Sequence, residues 1–230
     1  MLKTIPLATS TLLALCASVQ AGAQDLGSKS VSIVLPGITF TSSLNGAAEG
    51  TKVSNGRLTL TSEAKRDNFR DPNGKLSSNT APVLLTEVDN KKPFTLTARI
   101  TPTFVETYDA GALYIWVKDD LWLKMALEMD ERRRTRLVTV RTTGTSDDNN
   151  HDVVTERTVT MKISSDTHTV GFYYSLDGQR WQLIRLFKND YPEKIRLGIS
   201  AQSPVGNGTS ATFDSLTLTQ TSVADFRLGQ

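Results

Sequence analysis

The stretch LEMDERRR, residues 127–134, sets Glu128, Asp130 and Glu131 between an apolar alternating run and a basic cluster. Two carboxyl groups about 5–5.5 Å apart on one surface can cleave a glycosidic bond with retention, one as nucleophile and the other as acid. Successive side chains of a strand point to opposite faces, so Glu128 and Asp130 would project together while Glu131 turns away. The same residues also read as the end of one strand, WLKMALEM, and a polar turn into the next, TRLVTVRTT. On either reading Glu128 projects from the sheet, which makes it the catalytic candidate if the chain is an enzyme.

A second constellation is GTSDDNNHD, residues 144–152. Asp147, Asp148 and Asn149 head a cluster of oxygen donors of the kind Ca²⁺ prefers, although the EF-hand spacing and its central glycine are missing. A solvated hairpin loop accounts for the same residues. His151 and His168 are the only histidines and fall on different expected elements, so a zinc site is not expected. No G-x-S-x-G elbow is present. A third set is aromatic and charged: Tyr114, Trp116, Trp122, Lys124, Glu128, Arg141, Tyr173 and Arg196. Exposed rings can stack on sugars, and arginine can hold a carboxylate with two parallel hydrogen bonds. These side chains could equally fill a core or pair across strands. Trp181, just after an Asp-Gly turn, is expected in the core.

The elements that must position these residues are strands. Short alternating runs of Val, Ile, Thr, Tyr and Phe, punctuated by Gly, Asn, Asp, Ser and Pro, recur along the chain after Gln24. Period two places Leu113, Ile115 and Val117 on one face of LYIWV, with Tyr114 and Trp116 on the other. In WLKMALE it separates Leu123, Met125 and Leu127 from Trp122, Lys124, Ala126 and Glu128. Ile195, Leu197 and Ile199 alternate likewise with Arg196, Gly198 and Ser200. SLDGQR between VGFYYS and WQLIRLF predicts a tight hairpin. Each strand has one apolar face to bury, which predicts a two-layer antiparallel sandwich. The longest loop-like stretch, RDNFRDPNGKLSSNTAP (66–82), is long enough to suggest a functional or poorly ordered segment.

Residues 1–23, MLKTIPLATSTLLALCASVQAGA, read as a secretory signal: one early lysine, an apolar stretch and an A-x-A ending. The run is too short and too interrupted to span a membrane. A lipoprotein acylated on Cys16 is the less favoured alternative, because Leu15 precedes it. Without the leader the chain has no cysteine, so neither a disulfide nor a thiol nucleophile is expected. Lys3 is the leader's only charge; without it the 26 basic residues fall to 25, against 24 acidic. That balance gives no electrostatic reason to bind nucleic acid.

YDAGALYI, WLKMALEM, VTVRTTGTSDD, FYYSLDGQRWQLIR, GISAQSPVGNG and FDSL follow one another in an order that resembles the regulation-of-enolase-type family of domains of unknown function. The chain is also similar to the sandwich domain appended to some bacterial xylosidases. The resemblance runs from about Arg66 to Leu218 and implies a concanavalin A-like jelly-roll of two antiparallel sheets with a concave face. Laminarinase-type glycosidases of that fold carry Glu-x-Asp-x-(x)-Glu on a concave strand, a pattern that Glu131 breaks by falling one residue early. The expectation is an all-β chain with a signal at 1–23 and one domain at 24–230. Its expected function is exported, non-catalytic carbohydrate binding, with Ca²⁺ as an optional structural ion. A hydrolase or lyase using Glu128, and an envelope protein-interaction domain without a sugar ligand, are the alternatives.

Overall fold

The computed structural model describes residues 27–230; the expected leader and Cys16 lie outside the described residues. The described chain is strands and turns. Its first half carries β1 (Ser28–Leu35), β2 (Ile38–Leu44), β3 (Thr51–Ser54), β4 (Arg57–Glu63), β5 (Asn68–Arg70), β6 (Ser77–Asn79), β7 (Val83–Asp89), β8 (Phe94–Pro102) and β9 (Ala110–Lys118). The second half carries β10 (Leu121–Met129), β11 (Thr135–Thr143), β12 (Thr145–Val154), β13 (Val159–Ser165), β14 (Thr169–Ser175), β15 (Gln182–Lys188), β16 (Lys194–Gln202) and β17 (Gly208–Thr219).

Two antiparallel sheets form the sandwich. One has eight strands in the order β1-β2-β7-β16-β9-β10-β11-β12, and the other seven in the order β15-β14-β13-β8-β17-β4-β3. The period-two assignment holds: Leu113, Ile115, Leu123, Met125, Leu127, Ile195, Leu197 and Ile199 face the second sheet. There they meet Leu96, Ala98, Ile100, Met161, Ile163 and Phe213. Each large side chain so buried contributes about 1.5–3 kcal/mol, and this shared core fixes which residues must face outward. The expected Asp-Gly hairpin joins β14 to β15, with Gly178 at φ 74°. Gly198 allows β16 and β7 to run close together, since a Cβ there would lie 2.0 Å from the Leu84 carbonyl oxygen.

Several expectations are corrected by this topology. The segment expected to be a loop or a calcium site is strand β12, the outermost strand beside β11. Alternation then sends Asp147 and Asn149 to one face and Asp148 to the other, and Asp147 pairs with Arg185 at 3.0 Å. No group of three or more His, Cys, Asp or Glu among the described residues is arranged to hold a metal ion. Second, Tyr173 belongs to the seven-stranded sheet, where its hydroxyl donates to the Phe226 carbonyl at 2.9 Å. Trp181 sits nearby rather than in the core, half-buried under Lys162, whose Nζ lies 3.6 Å from the ring centroid. Third, Arg141 stands opposite Leu123, so it points away from Trp122 and Lys124. It reaches Tyr191 at 3.0 Å and Asp190 at 3.5 Å at the margin of the sandwich.

Candidate functional site

The outer face of the eight-stranded sheet, the face expected to be concave, gathers the other aromatic and charged candidates in register. Trp122 lies opposite Trp116, which lies opposite Arg196, which lies opposite Glu87. The next row places Asp148, Val140, Lys124, Tyr114, Gly198 and Leu85 side by side. A further row carries Glu128 between Arg136 and Ala110, with Gln202 beyond. The sequence thus placed Tyr114, Trp116, Trp122, Lys124, Glu128 and Arg196 on one surface.

Most of that surface is closed. The segment 66–82 forms a small hairpin, β5 with β6, that lies across the aromatic residues. Trp116 and Trp122 stack with centroids 6.2 Å apart and are 2% and 0% exposed, and Phe69 packs onto their cluster. Lys124 anchors the covering segment: its ammonium donates to Asn68 O at 2.9 Å and to Gln202 Oε1 at 3.0 Å, and pairs with Asp67 at 3.5 Å. Burial works to strip its proton, but the Asp67 carboxylate holds Lys124 above the usual lysine range. Tyr114 Oη accepts from Gln202 Nε2 at 2.9 Å and from Asn68 Nδ2 at 3.3 Å. Trp122 Nε1 and Asn79 Oδ1 are exceptions, buried without partners. Stacking a sugar on Trp116 or Trp122 is therefore excluded while this segment is in place.

At one open end lies Glu128. Its carboxylate is partly exposed and accepts no hydrogen bond from any described residue. Burial pushes its pKa up to about 8, opposed by Lys124 and reinforced by Asp148 and Asp67. Tyr108, 39% exposed, stands near this end, its hydroxyl raised by burial and by Glu131 and Glu128. The turn reading of DERRR holds. Asp130 accepts from the amides of Arg132 (2.9 Å) and Arg134 (2.8 Å) and pairs with the Arg134 and Arg136 guanidinium groups. Burial opposes its charge, yet these hydrogen bonds hold Asp130 down to about 2. Asp130 is thus committed to the turn. Asp148 is two strands from Glu128 and level with Lys124, a backbone offset of about 10 Å across and about 13 Å along the strands. The register places Arg136 and Ala110, and no carboxylate, directly beside Glu128 on the neighbouring strands.

The other open margin holds Arg196. Strand β2 pairs with β7 only from Ser42 to Leu44, whereas β7 continues to Asp89, so the two strands diverge beyond Ser42. The divergence leaves a cleft of about 450 Å³ lined by Ser30, Thr41, Ser42, Thr86, Glu87 and Arg196. The guanidinium of Arg196 is half-buried and forms no hydrogen bond or ion pair with any described residue. Burial lowers its pKa, and Glu87 and Asp119 work the other way. Ser42 Oγ, in the cleft wall, is buried without a partner. A guanidinium and a hydroxyl that lack protein partners are equipped to receive a polar ligand.

A model for a family described as "Protein of unknown function (DUF1349)" matches residues 44–221. The chain belongs to the DUF1349 family. No curated protein matches it in sequence. In structure, this DUF1349 chain is similar to a functionally unknown protein from Saccharomyces cerevisiae, at 23% identity and TM-score 0.70, over 77% of this chain and 95% of that one. It is also similar to a Bacteroides ovatus xyloglucan GH43 protein (14% identity, TM-score 0.62, 83% of this chain and 38% of that one). A Bacillus licheniformis GH43 protein is comparable (14%, 0.61, 79% and 36%). The DUF1349 chain thus spans little more than a third of those GH43 chains. At these identities the likeness establishes the fold, a jelly-roll-like β-sandwich.

Several residues of the DUF1349 site lay beyond the sequence reading. Asp67, Asn68 and Gln202 had no signal of their own, although the length of 66–82 drew attention to the segment that carries two of them. Ser30, Thr41 and Ser42 sit in a stretch rich in serine and threonine that is indistinguishable in sequence from any solvated strand. They also precede the residues matched by the family model, so one wall of the Arg196 cleft lies outside it.

Proposed function

We propose that the chain is an exported, non-catalytic carbohydrate-binding module that seats part of a glycan in the cleft between β2 and β7. The observation that carries this reading is Arg196, a half-buried guanidinium without a protein partner, in an open cleft whose lining includes serine and threonine. Sugar sites are built from such convergent polar groups, each supplying one or two directional hydrogen bonds. Similarity in fold to proteins described as GH43 adds support. Trp116, buried beside Arg196 on the next strand, is not available as a stacking platform. Export rests on the leader at 1–23.

A glycan-array screen of the protein, followed by calorimetry on the hits, tests the reading. Binding that Arg196→Ala abolishes without lowering the melting temperature is the expected result; a blank array would overturn it. One observation favours a second reading, an envelope protein-interaction domain: the aromatic face is covered by the chain's own 66–82 segment. A blank array together with a stoichiometric, saturable protein complex isolated from the host envelope would replace the first reading with the second.

A further inference from the structure

We infer that the Arg196 cleft selects a sugar bearing a carboxylate, a uronic acid residue, over neutral sugars. This rests on the reading of the cleft as a glycan seat and names the chemistry of what sits there. A guanidinium has five N–H donors in a planar fork and no acceptor. Those of Arg196 are half-buried and take no acceptor from the described protein. Neutral sugar hydroxyls would engage the donors singly and bring no opposite charge into contact with the guanidinium. A carboxylate meets two N–H groups in parallel and neutralises the charge in the same contact.

The surroundings suit the remainder of such a sugar. Ser42 Oγ lies in the cleft wall without a partner, and Ser30 and Thr41 also line the cleft. Glu87 stands directly opposite Arg196 on the neighbouring strand yet does not pair with it, which leaves its carboxylate able to accept from vicinal ring hydroxyls. Glu87 and Asp119 also add negative potential around the guanidinium. That field penalises a dianion such as a phosphate monoester more than a monoanion, so the cleft favours a carboxylate over a phosphate.

The experiment is calorimetric titration of the full chain with uronate oligosaccharides, each beside its carboxyl methyl ester. Tetragalacturonate, an alginate tetramer and a glucuronate-branched xylo-oligosaccharide form the panel, with inorganic phosphate and sulfate as anion controls. At least one free acid is expected to bind 10-fold or more tightly than its ester, with affinity falling as salt rises, and to outcompete both inorganic anions. Arg196→Lys should forfeit most of that preference, because a point charge lacks the fork. Arg196→Gln should abolish it with a melting temperature no lower than that of the parent. Acid and ester binding equally, with both lost in Arg196→Gln, would overturn the carboxylate inference while the glycan seat survives. No binding to any acid, ester or array glycan would remove both. Phosphate or sulfate binding as tightly as the acids would assign the cleft to a bare anion and overturn the inference.

Discussion

At the middle of the outer face a buried lysine has partners on every side; at its margin a half-buried arginine has none. Lys124 and Arg196 lie on the same surface of the same sheet, one row apart. The difference arises from what covers them. The 66–82 segment brings Asp67 and the Asn68 carbonyl onto Lys124, and Gln202 completes the set. Around Arg196 the neighbouring strands diverge and supply hydroxyls that stay beyond hydrogen-bonding range. A cation whose partners are complete serves the fold, and its removal should be costly. A cation left without partners contributes little to the fold and is available to a ligand.

The comparison is broken most severely at Lys124. Lys124→Met strips donors from the Asn68 carbonyl and Gln202 and leaves Asp67 without its cation, so the domain should lose about 3 kcal/mol in urea unfolding. Tryptophan fluorescence should redden as the segment lifts from Trp116 and Trp122. Loss below about 1 kcal/mol would show that the segment is held by apolar contact alone. Asp130→Asn comes next, at about 2 kcal/mol, because the turn loses its charged hydrogen-bond acceptor. The Asp130 carboxyl is depressed from 3.8 to about 2. Its contribution is therefore full above pH 3.8 and disappears as pH falls toward 2, so parent and variant should converge in acid.

Glu128 sharpens the comparison from the anionic side. Its pKa is raised from 4.5 to about 8, so the folded state holds a proton that the unfolded chain releases. The contribution of Glu128 to stability is greatest below pH 4.5 and is lost as pH rises from there through 8. Glu128→Gln should then stabilise the domain by about 1–2 kcal/mol at pH 8 and by nothing measurable at pH 4, read from paired melting curves. Equal melting curves at both pH values would show a solvated, unperturbed carboxylate. The smallest effect is expected at Asp147→Ala, whose exposed pair with Arg185 should be worth less than about 0.5 kcal/mol.

Period two and turn chemistry made the fold legible. β9, β10, β11, β14, β15 and β16 stand where alternating runs announced them, because one face of each strand is buried against the opposite sheet. The surface assigned to Tyr114, Trp116, Trp122, Lys124, Glu128 and Arg196 was legible for the same reason. Burial of the outward face was not, since its cover comes from a polar segment that reads as solvated. Asp67 and Asn68 acquire meaning only when folded onto Lys124. Arg141 was assigned to the wrong face although it alternates with Val140, which shares a row with Lys124; tracking parity from β10 into β11 would have found the error. Tyr173 failed for a different reason: sequence order does not tell which of two sheets a strand joins.

The acidic run that suggested a calcium loop has another consequence as strand β12, the last strand of its sheet. An exposed edge offers unpaired amides and carbonyls that can template a strand from another molecule, the first step toward aggregation. Here that edge carries Asp147, Asp148 and Asp152 within the polar sequence TSDDNNHD. Two copies approaching edge to edge would bring like charges together, with few apolar side chains to compensate. Such an acidic, polar edge disfavours pairing with a second copy.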